Sequence, residues 1–288
     1  MKKIYIFGAS KGGENYLRHI ENDASLQILG FLDNDSRKHG QSLCGQPIFG
    51  PSVLSGGDFD EVHVASMWTR KIHLQLVESL AVPAAKIIDL PKHLIKRRLR
   101  PFETAEGQAA GKRLISEMSE YFAAHDTCLV LDGGCLLGIM RDQMLIPWDD
   151  DIDFLVHIAD AGKVVALLRR FAEESQFRHT HHITVDDGAA LTGMQFVAVN
   201  LTPSGPHREE DEIDVSFSMM TRIGDSMTAR SGMSTWPAYL HDGGLRWIDL
   251  HPGRATCVEA VEDFLTFIYG DWRVVNRDVS FYDYQNWS

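Results

Sequence analysis

The sequence predicts two α/β domains in tandem, a parallel-sheet domain followed by an α+β domain. Three observations carry that prediction. The chain has 288 residues, and at roughly 150 residues per domain two domains are expected. Its N-terminal third alternates short β-branched runs with helical stretches, the rhythm of a parallel sheet. A run of Lys and Arg from Lys92 to Arg100, closed by Pro101, then interrupts the pattern before strands and helices resume in a different order. We place the domains at residues 1–95 and 104–288.

Composition narrows the class. Hydrophobic residues make up 44% and charged residues 24%, enough apolar material for a core in each half. Lys and Arg number 28 against 40 Asp and Glu, a formal charge of −12, which argues against a nucleic-acid binder. A small phosphorylated ligand stays open if a cation supplies positive charge. The cysteines at 44, 128, 135 and 257 form no CxxC pair, so neither zinc nor a disulfide scaffold is expected. The apolar run after Met1-Lys2-Lys3 is too short for a signal peptide. No stretch is long enough to span a bilayer. A cytoplasmic protein with reduced thiols is the expectation.

Lys3 to Phe7 suits a buried strand. Gly8-Ala9-Ser10-Lys11-Gly12-Gly13 follows, then a helical stretch with Tyr16, Leu17 and Ile20 on one face. Leu26 to Leu32 forms a second strand, closed by Asp33-Asn34-Asp35. Strand, glycine turn, helix, strand and acidic residue make a Rossmann-like unit, with Asp33 near the place of a ribose-binding carboxylate. Ser10 replaces the middle glycine of the usual fingerprint. Gly8, Ser10, Gly13 and Asp33 are therefore candidates for holding a nucleotide or nucleotide-sugar. The alternative is that Gly8 and Gly13 only permit a tight turn. The segment Gly45 to Pro51 reads as a short strand between turns, and Glu61 to Ala65 and Lys86 to Asp89 supply further strands, with a helix over Thr69 to Leu80. The GAS-x-GG turn, Gly30-Phe31-Leu32-Asp33-Asn34-Asp35 and the later GxPIxGP pattern resemble the Rossmann-like domains ahead of bacterial sugar acyltransferases.

The basic run at the joint has three readings: a solvated helix face, a neutraliser of an acidic neighbour, or a contact with an anionic membrane surface or lipid-linked acceptor.

The second half carries the chemistry. A helix is expected around Leu114 to Ala124 and a short strand over Cys128 to Leu131. Asp132-Gly133-Gly134-Cys135 then turns into a helix over Leu136 to Arg141. The segment Ile146-Pro147-Trp148-Asp149-Asp150-Asp151-Ile152-Asp153 is the most informative in the chain. Strand alternation puts Asp151 and Asp153 on one face and Ile152 in the core, and Asp149 joins that face if the strand extends back. Crowded carboxylates repel, and Mg²⁺ or Mn²⁺ relieves the repulsion while leaving room for substrate phosphates. Glu212 to Phe217 alternates polar and apolar, which puts Asp214 on a further acidic strand. A glycine turn, a DxD strand and a later lone Asp together form the layout of the polymerase-β-like nucleotidyltransferase fold. Bland alternatives exist for the rest. His179, His181 and His182, next to Arg178 and Asp186-Asp187, read as surface. Arg208 to Glu212 reads as a solvated turn. Trp236, Trp247 and Trp272 read as core, with stacking on a base or sugar as the alternative.

Gly134-Cys135-Leu136-Leu137-Gly138-Ile139-Met140-Arg141, the PWDDDID block, and Val261 to Trp272 with its Tyr-Gly-Asp resemble the LicD/fukutin family. Cys135 stands where that family usually has Thr or Ser. The resemblance implies transfer of phosphocholine or a polyol phosphate from a CDP-linked donor to a sugar hydroxyl of a cell-surface glycan or a lipid-linked precursor. It implies Asp149, Asp151, Asp153 and Asp214 as metal ligands, Asp214 also as general base, Gly133 and Gly134 as a phosphate cradle, and Arg141 as a charge-neutralising partner. Arg141 could instead pair with Asp142 or Asp150. Rival functions are a nucleotidyltransferase moving NMP, an NAD-linked oxidoreductase, for which no hydride-transfer constellation is visible, and a non-catalytic nucleotide-binding protein.

Overall fold

The computed structural model describes all residues except 67, 96–99, 187–195, 209–210, 230–231, 233, 277–283 and 287–288. The chain divides into two compact units, Met1–Arg98 and Leu99–Ser288. Among the described residues no helix is long and apolar enough to cross a membrane.

In the first unit β1 (Lys2–Phe7), α1 (Lys11–Ile20), β2 (Leu26–Leu32), β3 (Ser42–Leu43), β4 (Gln46–Phe49), β5 (Glu61–Val64), α2 (Thr69–Leu74), β6 (Ile87–Asp89) and α3 (Lys92–Ile95) follow in order. The sheet order is β3-β4-β2-β1-β5-β6. The β1–β2, β1–β5, β2–β4 and β5–β6 pairings are parallel, and β3 runs antiparallel to β4. Strand alternation explains the two cores. Ile4 and Ile6 pack under Tyr16, Leu17 and Ile20 of α1 on one face. Tyr5 and Phe7 join Leu54, Ile72 and Leu76 on the other. This is a sheet covered on both faces, the expected α/β class.

The second unit begins with α4 (Ala105–Ala123), capped by Thr104 Oγ1, which accepts from Gly107 N at 3.0 Å. There follow β7 (Val130–Asp132), α5 (Gly133–Asp142), β8 (Asp151–His157), α6 (Ala161–Glu174), β9 (His181–Asp186), β10 (Phe196–Pro203) and β11 (Ile213–Ile223). The chain then forms β12 (Ser226–Ala229), β13 (Ser234–Pro237), α7 (Tyr239–Asp242), β14 (Leu245–Asp249), β15 (Arg254–Val258) and α8 (Val261–Tyr269). The long β11 organises the mixed sheet. It pairs antiparallel with β10 and parallel with β8, and β7 closes antiparallel on β8. Phe122, Phe154 and Phe217 stack through the core, with centroids 6.2 and 5.6 Å apart. The strand expected over Cys128 to Leu131 forms over Val130–Asp132, and the helix expected from Leu136 starts at Gly133. Both shifts bring the Asp132-Gly133-Gly134 turn into the helix start.

Candidate active site

Three strand ends deliver carboxylates to one place. The β8–β11 register sets Asp151 beside Asp214 and Asp153 beside Ser216. The β7–β8 register sets Asp132 beside Asp153. Ile152, between the two acids, is fully buried while Asp151 and Asp153 are half-buried, as alternation requires.

Asp149 comes to this group from off the strand. β8 starts at Asp151, and Asp149 lies in a turn in which its N–H donates to Ile146 O at 3.0 Å. The turn aims its carboxylate at the first turn of α5, where a β-carbon on Gly134 would overlap Asp149 Oδ2. Gly133 has φ 63°, and a β-carbon there would stand 2.6 Å from Asp153 Oδ2. The two glycines therefore let a pair of carboxylates approach the N-terminus of a ten-residue helix, where unsatisfied N–H groups and the helix dipole favour negative charge.

Oxygens of Asp149, Asp150 and Asp151 lie within 4.8 Å of one another. Among the described residues this is the group of three or more His, Cys, Asp or Glu side chains able to hold a metal ion. Hard oxygen donors at this spacing fit Mg²⁺ or Mn²⁺. Asp153 and Asp214 stand beside it with neutral donors of their own. Ser216 Oγ donates to Asp153 Oδ1, and Asn200 Nδ2 donates to Asp214 Oδ1. Cys135 is buried and its thiol donates to Asp151 O at 3.3 Å. Burial first, then the fields of Asp149, Asp153 and Asp151, push this thiol well above the usual cysteine range. Cys135 thus remains a neutral packing residue at the position where a hydroxyl was expected.

Arg141 lies in the last turn of α5, at the end opposite the glycines, and its Nε donates to Asp142 Oδ2 at 2.8 Å. Its side chain is only 6% exposed. Trp236 and Trp272 are buried. Trp247 is 39% exposed, and the Arg254 guanidinium covers its ring at 4.4 Å. His179 falls in a turn and His181 and His182 on β9. Asp187 and Glu209-Glu210 lie outside the described residues, as do residues 96–99 of the basic run. Asp132, Asp150 and Asn200 are members of the site that the sequence alone does not single out, whereas strand alternation already sets Ser216 on the face of Asp214, and the structure brings it to Asp153. Asp132 had a usable signal, since it closes a strand directly before the glycine pair. Asn200 had none, because only cross-strand register places it.

In the first unit, Gly8 and Gly13 serve close packing: β-carbons there would meet Ala65 O at 2.7 Å and Phe31 Cε1 at 2.9 Å. Ser10 is the exposed N-cap of α1, and its side chain makes no cap bond. Asp33 accepts from Ala9 N at 3.0 Å and from Lys38 Nζ at 2.9 Å, and Lys38 also donates to Ala9 O. The carboxylate thereby ties β2 to the glycine loop.

Residues 127–248 match the model of the LicD/FKTN/FKRP nucleotidyltransferase domain. Residues 1–88 match the C2185-like, N-terminal model. No curated protein matches the chain. Solved structures similar to it include a UDP-D-quinovosamine 4-dehydrogenase from Vibrio fischeri, 24% identical over 31% of this chain and 78% of that one, with a TM-score of 0.27. A myo-inositol dehydrogenase from Corynebacterium glutamicum is 13% identical over 82% of this chain and 75% of that one, with a TM-score of 0.25.

Proposed function

We propose that the second unit, which carries the LicD/FKTN/FKRP nucleotidyltransferase domain, transfers a substituted phosphate from a CDP-linked donor to a sugar hydroxyl. Phosphocholine or a polyol phosphate is the group moved, and a glycan or lipid-linked sugar is the acceptor. The observation that carries this reading is the carboxylate triple of Asp149, Asp150 and Asp151 set against the glycine N-terminus of α5, with Asp153 and Asp214 on the adjoining strands.

A divalent cation held by that triple would neutralise the donor's phosphates and the charge that develops on them. The remaining work falls to the chain itself. The first N–H groups of α5 orient a phosphate oxygen. Ser216 and Asn200 fix the rotamers of Asp153 and Asp214. Asp214 takes the acceptor hydroxyl proton as that oxygen bonds to phosphorus, while the bond from phosphorus to CMP breaks. Positioning and charge neutralisation supply most of the rate in such transfers.

Calorimetric binding of CDP-choline, CDP-glycerol and CDP-ribitol, each with Mg²⁺ and with EDTA, tests the reading on wild type and Asp151→Asn. Binding of one donor that needs Mg²⁺ and is lost in the variant is expected, with CMP released when an acceptor is added. Release of pyrophosphate from CTP would instead assign NMP transfer. Donor binding indifferent to both EDTA and the substitution would sink the proposal.

A further inference from the structure

We infer that helix α4 fixes the acidic turn, with Gln108 and Lys112 as positioning residues for the carboxylate triple; this rests on reading that triple as the cation site. The connection from α5 to β8 runs between two helices that both make room for it. On the α5 side, a β-carbon on Gly138 would meet Met144 O at 2.5 Å and Ile146 N at 3.0 Å. On the α4 side, one on Gly111 would meet Leu145 Cδ1 at 2.5 Å and Phe102 Cε1 at 2.7 Å. Leu145 and Phe102 are both fully buried.

Polar contacts lock the same segment. The Gln108 amide engages Leu145 as a neighbouring strand would. Leu145 N donates to Gln108 Oε1 at 2.9 Å, and Gln108 Nε2 donates to Leu145 O at 2.8 Å and to Phe102 O at 2.7 Å. Next along the helix, Lys112 Nζ donates to Gln143 O at 2.6 Å. Gln143 caps the C-terminus of α5 in the left-handed region, φ 56°, where a cation suits the helix dipole. Ile146, directly after the gripped Leu145, then accepts the Asp149 N–H that shapes the acidic turn. The path from α4 to the carboxylates is thus continuous: Lys112 and Gln108, then Gln143 to Ile146, then Asp149.

Lys112 is the telling member. It is 8% exposed, and among the described residues its ammonium meets a backbone carbonyl and no carboxylate. Desolvation pulls its pKa below the usual lysine value, so holding the ammonium here carries a cost that its bond to Gln143 O offsets. Its presence is explained by what it holds.

The test uses the full chain with Lys112→Met, Lys112→Arg and Gln108→Leu. Three quantities are measured: thermal midpoint, Mn²⁺ affinity by calorimetry, and amide exchange over residues 143–150. Lys112→Met is expected to keep or raise the midpoint, accelerate exchange in that segment and weaken Mn²⁺ binding by about tenfold or more, the range for outer-shell support of a metal site. Lys112→Arg is expected to restore both. Gln108→Leu should act in the same direction as Lys112→Met. Unchanged exchange in Lys112→Met overturns the inference, and so does faster exchange with wild-type Mn²⁺ affinity. Failure of the wild type to bind Mn²⁺ overturns the cation reading by itself, and the exchange result then decides whether α4 holds the turn.

Discussion

Gly134 and Asp149 compete for the same space: a β-carbon on the glycine would overlap Asp149 Oδ2. The obstacle is the tip of a flexible side chain, so the carboxylate would swing away while the backbone stayed. Ala is intrinsically better than Gly in a helix by about 1 kcal/mol. Gly134→Ala is therefore expected to hold or raise the thermal midpoint while donor turnover falls about a hundredfold, the scale set by an ångström of misplacement. A midpoint drop with full turnover would contradict it.

His241 gives a stability prediction with a pH sign. Its ring lies 5.6 Å from Trp236 and 5.9 Å from Phe264, and among the described residues its Nε2 is buried without a hydrogen-bond partner. Burial pulls its pKa below the ordinary imidazole value of 6.5, against the opposing fields of Asp132 and Asp242. Below pH 6.5 the unfolded chain binds a proton that the fold resists, so stability falls as pH drops through the folded value. His241→Phe keeps the packing and removes the proton site. Its melting curve should stand above wild type near pH 8 by the cost of the unpaired Nε2 alone, and exceed it by a growing margin below pH 6.5. A constant offset between pH 5 and 8 would refute this.

Much of the site was legible because strand alternation is a local rule. Asp151 and Asp153 outward with Ile152 inward follows from the PWDDDID block alone, and the buried Ile152 agrees. Alternation reaches Asp149 only if the strand extends back to it, and the turn that displaces it depends on Ile146 and on the helices gripping Leu145, which no local spacing encodes. Asn200 and Ser216 enter through the β10–β11 and β8–β11 registers, which are long-range pairings. In the first unit the parallel sheet could be read from its apolar runs. The engagement of Asp33 by Lys38 could not, because it needs the short turn Ser36–Lys38 to fold the lysine back. Trp247 was expected in the core, but it sits on a two-stranded hairpin and is covered by Arg254, since a lone hairpin leaves one face open to water.

Alkaline stability of the first unit should report on Tyr16. Its hydroxyl lies 2.6 Å from His63 Nδ1, and His63 Nε2 lies 2.9 Å from Glu61 Oε2. Burial, then the charges of Glu61 and Asp23, push the phenol up to about 12. Above pH 10 the unfolded phenol ionises while the folded one does not, so the contribution of this group is intact below pH 10 and lost by about pH 12. Tyr16→Phe is expected to cost about 1 kcal/mol at neutral pH, one hydrogen bond, and to flatten the loss in that window. Phenolate absorbance followed with unfolding decides it, and an unchanged alkaline slope in the variant would exclude Tyr16 as the cause.

Asn200 and Asp214 offer a test of charge in the site. Asn200 Nδ2 donates to Asp214 Oδ1 across the β10–β11 pair. Asn200→Ala removes the donor and should cost about 1 kcal/mol. Asn200→Asp does more, because it sets a second carboxylate at hydrogen-bond range of Asp214, and like charges at that distance repel. If the neighbouring triple holds a divalent cation, the added repulsion is partly relieved when that ion is present. The Asp variant should therefore melt below the Ala variant in EDTA, recover part of the difference in Mg²⁺, and turn over donor at least about tenfold more slowly than wild type, since Asp214 no longer holds its rotamer. Identical melting of the two variants in EDTA and in Mg²⁺ would show that Asp214 feels neither its neighbour nor the cation, and would remove it from the site.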